Sequence, residues 1–261
     1  MKRLFDVNAI IIFLFLYLPI LVIVIFSFNR GDQITIWEGF SIRWYSSLLG
    51  NNDVWRACKN SLMIAGAATI VSTIIGTAAA LALEKYRFRF KSPISNTLYL
   101  PIIIPDIVLA IALLTFFSQL KIQLNLYTVI IAHVVFNIAY VTIIVRARLQ
   151  GYDQTIEEAA LDLGANHWQT FFRITLPIIS PGVIGGALLA FTLSIDDFVI
   201  TFFTSGVGYT TLSVYIYNSL KFGITPEINA ISTMLLLNSI VFIILFLWFR
   251  TKNLYNIIGK S

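Results

Sequence analysis

Residues 158–177 read EAALDLGANHWQTFFRITLP, a polar, helix-forming run set between two long apolar segments. Two membrane spans that needed only a tight turn between them would carry no structured loop of this length. The run is therefore expected to meet something in the aqueous phase.

Working outward, the flanks decide the fold class. The chain has 261 residues, 58% hydrophobic and 12% charged, too apolar for an ordinary soluble domain. Six stretches reach the roughly 20 apolar residues that cross a bilayer: about Val7 to Phe28, Ser61 to Leu83, Ile94 to Ser118, Tyr127 to Val145, Ile178 to Phe203 and Asn229 to Phe249. They leave no room for a soluble domain. The first follows Met1, Lys2 and Arg3 in the manner of a signal peptide, but it lacks a small-residue cleavage site and is too long for one, so a retained helix is expected. The expectation is an all-α membrane protein with six transmembrane helices, a single domain over 1–261, and a cytoplasmic loop at 150–177.

Orientation follows from Lys and Arg, which concentrate in cytoplasmic loops. With the N-terminus inside, the inner side collects Lys2, Arg3, Lys85, Arg87, Arg89, Lys91, Arg146, Arg148, Arg173, Arg250, Lys252 and Lys260. The outer side collects Arg30, Arg43, Arg56, Lys59, Lys121 and Lys221. Twelve against six places both termini and the 158–177 run in the cytoplasm. The basic run KYRFRFK at 85–91 suits lipid headgroups and needs no nucleic-acid partner. The lone Cys58 has no internal disulfide partner. His133 and His167 lie too far apart in depth to share a metal, with no carboxylate or Cys at ligand spacing, so no metal site is expected.

The outer loop from Asn29 to Asn60 holds Trp37, Phe40, Trp44, Tyr45 and Trp55. It reads as an interfacial amphipathic helix around Ser41 to Leu49, or as a docking surface for an external partner. The small residues of the second span, among them Ala65, Ala68, Gly76 and Ala80, suit close helix packing in lipid. The third span should kink at Pro101 and Pro105, beside Asp106. The last outer loop, Thr204 to Ile228, should hold a short re-entrant or interfacial helix.

Within the polar run, Thr155 and Glu158 fit a capping box, which starts a helix just after Thr155. Gly164 is placed to end that helix in a left-handed conformation. Asn166 is placed to cap a second short helix that stops near Leu176, before Pro177. Ala159 and Ala160 leave a slim helix surface that could enter a groove of another protein.

Glu158-Ala159-Ala160, three residues, Gly164, nine residues, then Ile174-Thr175-Leu176-Pro177 resembles the EAA loop of ABC-importer permeases. The resemblance implies the type I ABC importer permease fold, with this loop seated in a cleft of a cytoplasmic ATPase. Glu158, Ala159, Ala160, Gly164, Leu176 and Pro177 would then be the coupling residues. The segments PDIVLAI (105–111), FTLSIDDFVITFF (191–203) and RWYSSLL (43–49) are similar to spermidine/putrescine permease subunits of PotC type. That likeness implies polyamine transport across a bacterial cytoplasmic (inner) membrane. It also implies a second, homologous permease subunit, a dimeric ABC ATPase and an extracytoplasmic solute-binding protein. The terminal Gly259-Lys260-Ser261 imitates a phosphate loop, but Leu254 stands where its first glycine belongs. ATP and Mg are therefore expected on the partner ATPase, with no cofactor and no enzymatic activity in this chain.

No Lys or Arg falls within the six spans, yet Asp106, Asp196 and Asp197 do. Charge near the bilayer centre costs a few kcal/mol even on lenient scales, so such acids face the bundle interior and mark a pathway. Adjacent residues on a helix point about 100° apart, so one of Asp196 and Asp197 is expected to line the path and the other to cap a backbone group or meet a neighbouring subunit. Tyr99 and Phe198 offer faces for an ammonium group. Two rival readings stay open: an importer permease for another small solute, and a proton-coupled carrier using the acids as a relay. Six spans without an inverted repeat argue against the second.

Overall fold

The computed structural model describes residues 2–222, 226–237 and 239–241, and these are mostly helical. They form two compact units, one drawn from residues up to 55 together with those from 215 onward, and one of residues 56–214.

In the first unit, α1 (Lys2–Phe26) is a long apolar helix. A loop knotted by Asn29 follows: its amide donates to the carbonyls of Gln33 and Ile36 at 3.0 and 2.7 Å, and its side-chain oxygen accepts from Glu38 N at 2.9 Å. Trp44 Nε1 donates to the Asn29 carbonyl at 2.9 Å, which fixes α2 (Arg43–Gly50). This is the short outer-loop helix expected near Ser41 to Leu49. Residues 226–237 are helical.

The second unit carries the long helices. α3 (Asn52–Lys85) begins well before the apolar stretch that starts at Ser61, so half-buried Cys58 lies within a helix and not in a loop. Its Ala65, Ala68, Gly76 and Ala80 are buried, as small residues at a close helix contact should be. The expected third span is broken. α4 (Lys91–Ile103) and α5 (Asp106–Gln119) meet at 111° across Ile104 and Pro105. A proline ring alone kinks a helix; here α4 packs on the next long helix, while α5 packs chiefly on the short helix near residue 200 and also touches that long helix.

That next helix, α6 (Leu126–Leu149), starts at a capping box in which Asn125 accepts from Tyr127 N and Thr128 N. It forms the spine of the unit. Its Val141, Val145 and Leu149 join Ala80 of α3 and, further along, Ile179 and Ala190 in one buried cluster. Its Ala132 and Phe136 join Ala110 of α5 and Ile200 in another.

The remaining elements are α7 (Thr155–Asp162), α8 (His167–Thr170), a π-turn over Phe171–Thr175, α9 (Leu176–Asp196), α10 (Val199–Thr204) and α11 (Leu212–Phe222). α9 packs along α6, and α10 packs on α5 and α6. α11 supplies the helix expected in the last outer loop. Among the described residues four helices are long and apolar enough to cross a membrane, at Asn8–Phe26, Asn52–Lys85, Leu126–Leu149 and His167–Asp196, or five where the bent α4–α5 pair is counted as one span. The sixth expected span, Asn229 to Phe249, runs past residue 241 and lies partly outside the described residues. The chain is a multi-pass membrane protein.

Candidate functional site

Two places combine polar chemistry with membrane helices: the 150–177 loop at one end of α6 and α9, and the acids at the other end of α9.

In the loop, Gly151 reverses the chain at φ +83° after α6. α7 does begin at Thr155, but the expected Thr155–Glu158 capping box is absent. The Asp153 carboxylate accepts from Thr155 N at 2.9 Å instead. Thr155 already lies inside the helix, so its side chain cannot turn back over the first N–H groups. The end of α7 is a Schellman motif. Ala165 N donates to Ala160 O at 3.0 Å and Gly164 N to Leu161 O at 2.9 Å, with Gly164 at φ +89°. Asn166 caps α8 in a reciprocal pair with Gln169, at 2.8 and 3.1 Å.

The second short helix does not stop before Pro177. α8 runs through the π-turn into α9, and Leu176 N bonds to Phe171 O, five residues back. An i−5 bond widens the helix just where the Pro177 ring would otherwise meet the preceding turn. Where Pro181 lacks an N–H, the Ser180 hydroxyl donates to Pro177 O at 2.8 Å.

Glu158 and Ala159 are exposed and Ala160 is half-buried, while Leu176 turns inward against the Val145–Ile179 cluster. α7 has no buried residue. Beside Glu158 and Ala159 stand apolar side chains that the sequence reading passed over. Leu163 is 90% exposed and Trp168 73%, with Trp168 stacked on Phe172 at 6.0 Å.

The inner side of α7 is polar. The Glu157 carboxylate accepts from the Lys85 ammonium, from Tyr152 OH at 2.7 Å and from Thr175 Oγ1 at 2.5 Å. Burial pushes the Glu157 carboxyl up, but the hydrogen bonds from Lys85, Thr175 and Tyr152 with the Lys85 charge outweigh it, leaving its pKa below the ordinary glutamate value. Burial first, then the hydrogen bond to Glu157, raises the Tyr152 phenol to about 12. The sequence reading missed Glu157, because only the fold brings Lys85 to it.

At the far end of α9 the helix closes on Asp196, and Asp197 leaves it in extended geometry at ψ 126°. The two acids are therefore parted by a backbone break and not by the turn of a helix. Asp196 is exposed. The Asp197 carboxylate accepts from Ile200 N at 3.3 Å, Thr201 N at 2.8 Å and Thr201 Oγ1 at 2.9 Å, capping α10. It also stands 3.4 Å from His133 Nε2, itself 3.0 Å from Thr201 Oγ1. Asn137 donates to Ser194 Oγ at 2.8 Å one turn further along α6.

Asp106, exposed, opens α5 one turn before Ala110, and Asp197 precedes Ile200 by three residues. Ala110 and Ile200 share a buried cluster, so the helices that follow the two breaks, α5 and α10, pack on one another. Interrupted helices within a membrane are tolerated where they line a cavity. Phe198 sits in the second break, its ring 5.4 Å from Phe202. Tyr99 is placed elsewhere: its hydroxyl takes the Arg146 guanidinium, which also reaches Ser95 and Glu84 at 3.3 and 3.4 Å. Arg146 is about 20 Å along α6 from His133, at 1.5 Å per residue. Among the described residues no cluster of His, Cys, Asp and Glu could hold a metal.

Residues 72–252 match the family of binding-protein-dependent transport system inner membrane components. The chain belongs to this family. Among its relatives is the spermidine/putrescine transport system permease protein PotC of Haemophilus influenzae, 40% identical over 87% of this chain and 88% of that protein. Another is the putrescine transport system permease protein PotI of Escherichia coli, 42% identical over 81% of this chain and 78% of that protein. The fold matches a chain of a bacterial ABC transporter involved in the import of the acidic polysaccharide alginate, with a TM-score of 0.71, 20% identity, and 92% and 94% of the two chains covered. The inner membrane component thus has the fold expected from its EAA-like loop.

Proposed function

We propose that this chain is one transmembrane subunit of an ATP-driven importer of polyamines, spermidine or putrescine, in the bacterial inner membrane. The observation that carries this reading is 40–42% identity, over most of the chain, to permeases named for those solutes. The acids agree with it: Asp106 and Asp196 stand exposed at two helix breaks whose following helices pack together, where spaced carboxylates can pass a polycation along.

The chain and a second, homologous permease form the path between them. Both termini and the 150–177 loop lie in the cytoplasm, a reading that the twelve-to-six bias of Lys and Arg supports. There Glu158, Ala159 and the Gly164 corner seat in a dimeric ABC ATPase, which binds ATP and Mg. A solute-binding protein delivers cargo from outside. α9 runs unbroken from the loop to Asp196, about 30 Å at 1.5 Å per residue. Motion of the loop is thereby carried to the acids by one rod.

The fold itself does not choose the cargo, since a neighbour with the same fold is named for alginate. The test is uptake of labelled spermidine and putrescine into proteoliposomes holding the full complex. The expected result is uptake that needs internal ATP and the binding protein. Uptake driven by a proton gradient without ATP would mean a secondary carrier, and ATP-driven uptake of another solute alone would mean a different cargo.

A further inference from the structure

Within the loop, α7 itself touches the membrane helices through very little. α7 contributes no buried residue, and its outer side carries the exposed Glu158 and Ala159. Among the described residues, the side-chain hydrogen bonds that tie its inner side to the helix ends all go to one carboxylate. Glu157 takes the ammonium of Lys85, the last residue of α3, and the hydroxyls of Tyr152, just after α6, and Thr175, the last residue of the π-turn. Lys85 also lies 5.3 Å from the centre of the Tyr152 ring, and the Lys85 and Glu157 side chains are 15% and 19% exposed. Tyr152 in turn packs on the cluster of Ala80, Val145 and Ile179. The ends of α3, α6 and α9 thus converge on one acceptor.

We propose that Glu157 is the positioning residue through which movement of α7 passes to the membrane helices, with Lys85 its charged partner. This rests on the reading that the loop docks an ATPase. Glu158 and Glu157 then divide the work between adjacent residues, about 100° apart on α7. The first faces the docking partner and the second faces the permease body. A half-buried ion pair holds its geometry better than an exposed one, because it is less screened and its partners are fixed by further hydrogen bonds. Among the described residues this is the ion pair that joins α7 to α3, and without it a push on the docking face would tilt α7 alone.

The test uses the assembled transporter in proteoliposomes and reads three quantities: ATPase retained on purification, ATP hydrolysis, and polyamine uptake per ATP hydrolysed. Glu157→Gln keeps the shape and an acceptor but loses the ion pair; Lys85→Gln loses it from the other side. Each should retain the ATPase and its hydrolysis while uptake per ATP falls about tenfold, within the range by which residues touching neither ligand alter coupling. The reversed pair, Lys85→Glu with Glu157→Lys, should regain at least part of that loss. Wild-type uptake per ATP in Glu157→Gln overturns the proposal. So does loss of the ATPase or of folded protein in that variant, since Glu157 would then be a docking or purely structural residue, and so does a reversed pair that assembles but stays as uncoupled as either single change. Failure of the underlying reading would show separately, as absent ATP-driven uptake in the unmodified complex.

Discussion

Val141 of α6 is wedged between two glycines, and Gly76→Ala tests how tightly. A Cβ at Gly76 would stand 2.8 Å from both Val141 Cβ and Cγ1 and 3.2 Å from Ile138 O, against about 3.5–4.0 Å for unstrained carbon contacts. Val141 has no room to yield. It is fully buried, its branched side chain is stiff about χ1, and its Cγ1 would lie 3.3 Å from a Cβ at Gly186 of α9. The helices must part by several tenths of an ångström, which also strains the 3.3 Å bond from Thr142 Oγ1 to Gly76 O. Overpacking of this kind costs about 1–3 kcal/mol, offset by the roughly 1 kcal/mol that Ala gains over Gly in a helix. Gly66, on the same helix, has open space where its Cβ would go, so Gly66→Ala isolates the propensity gain. Denaturant unfolding of the purified chain in mixed micelles, followed by tryptophan fluorescence, should place Gly76→Ala about 1–3 kcal/mol below Gly66→Ala. Adding Val141→Ala should recover part of the difference. If Gly76→Ala and Gly66→Ala agree within ~0.3 kcal/mol, the error expected of independent sites, the close approach of α3 and α6 is wrong.

The acids at the other end of α9 should separate by role. Asp106→Asn and Asp196→Asn are expected to lower polyamine uptake without lowering the unfolding midpoint, since both side chains are exposed; uptake unchanged in both removes the cation path. Asp197→Ala should instead lower stability by about 1–2 kcal/mol, the usual loss for a helix cap, with Asp197→Asn much milder; equal stability of all three contradicts the capping geometry. Glu157 should give an acid limb to stability. Its folded pKa is depressed, so its contribution is present above the ordinary glutamate value of about 4.3 and fades as pH falls through the lower folded value. The thermal midpoints of wild type and Glu157→Gln should converge as pH falls from the ordinary glutamate range through the depressed folded value; a constant gap would mean that the carboxylate is not held ionised.

The helices of this fold were legible because their apolar runs are long, and the corner at Gly164 because only a left-handed residue closes a Schellman motif there. The cap at Asn166 could be read for a similar reason, its reciprocal partner Gln169 being three residues away. What could not be read locally depends on distant partners. The π-turn before Pro177 rests on a bond five residues back, a register that helical periodicity does not signal. Pro101 and Pro105 announced a bend, but its 111° goes with packing on distant partners, α4 on α6 and α5 chiefly on α10. Tyr99 looked like a path aromatic from composition, yet Arg146, 47 residues away in sequence, claims its hydroxyl. Glu157 was masked by its neighbour, since choosing between two adjacent glutamates requires knowing that Lys85, 72 residues earlier, lies under one of them.

The central claim is that the 158–177 run is where this chain meets its ATPase. The chain has one cysteine, Cys58, so Cys58→Ala gives a clean background for Ala159→Cys on the exposed side of α7. Oxidative cross-linking of that variant in membranes, against ATPases bearing single cysteines along the candidate cleft, should yield one strong permease–ATPase product whose amount changes when ATP is added. Cross-linking at Ala159→Cys to no cleft position, in a complex that still imports, would contradict the account.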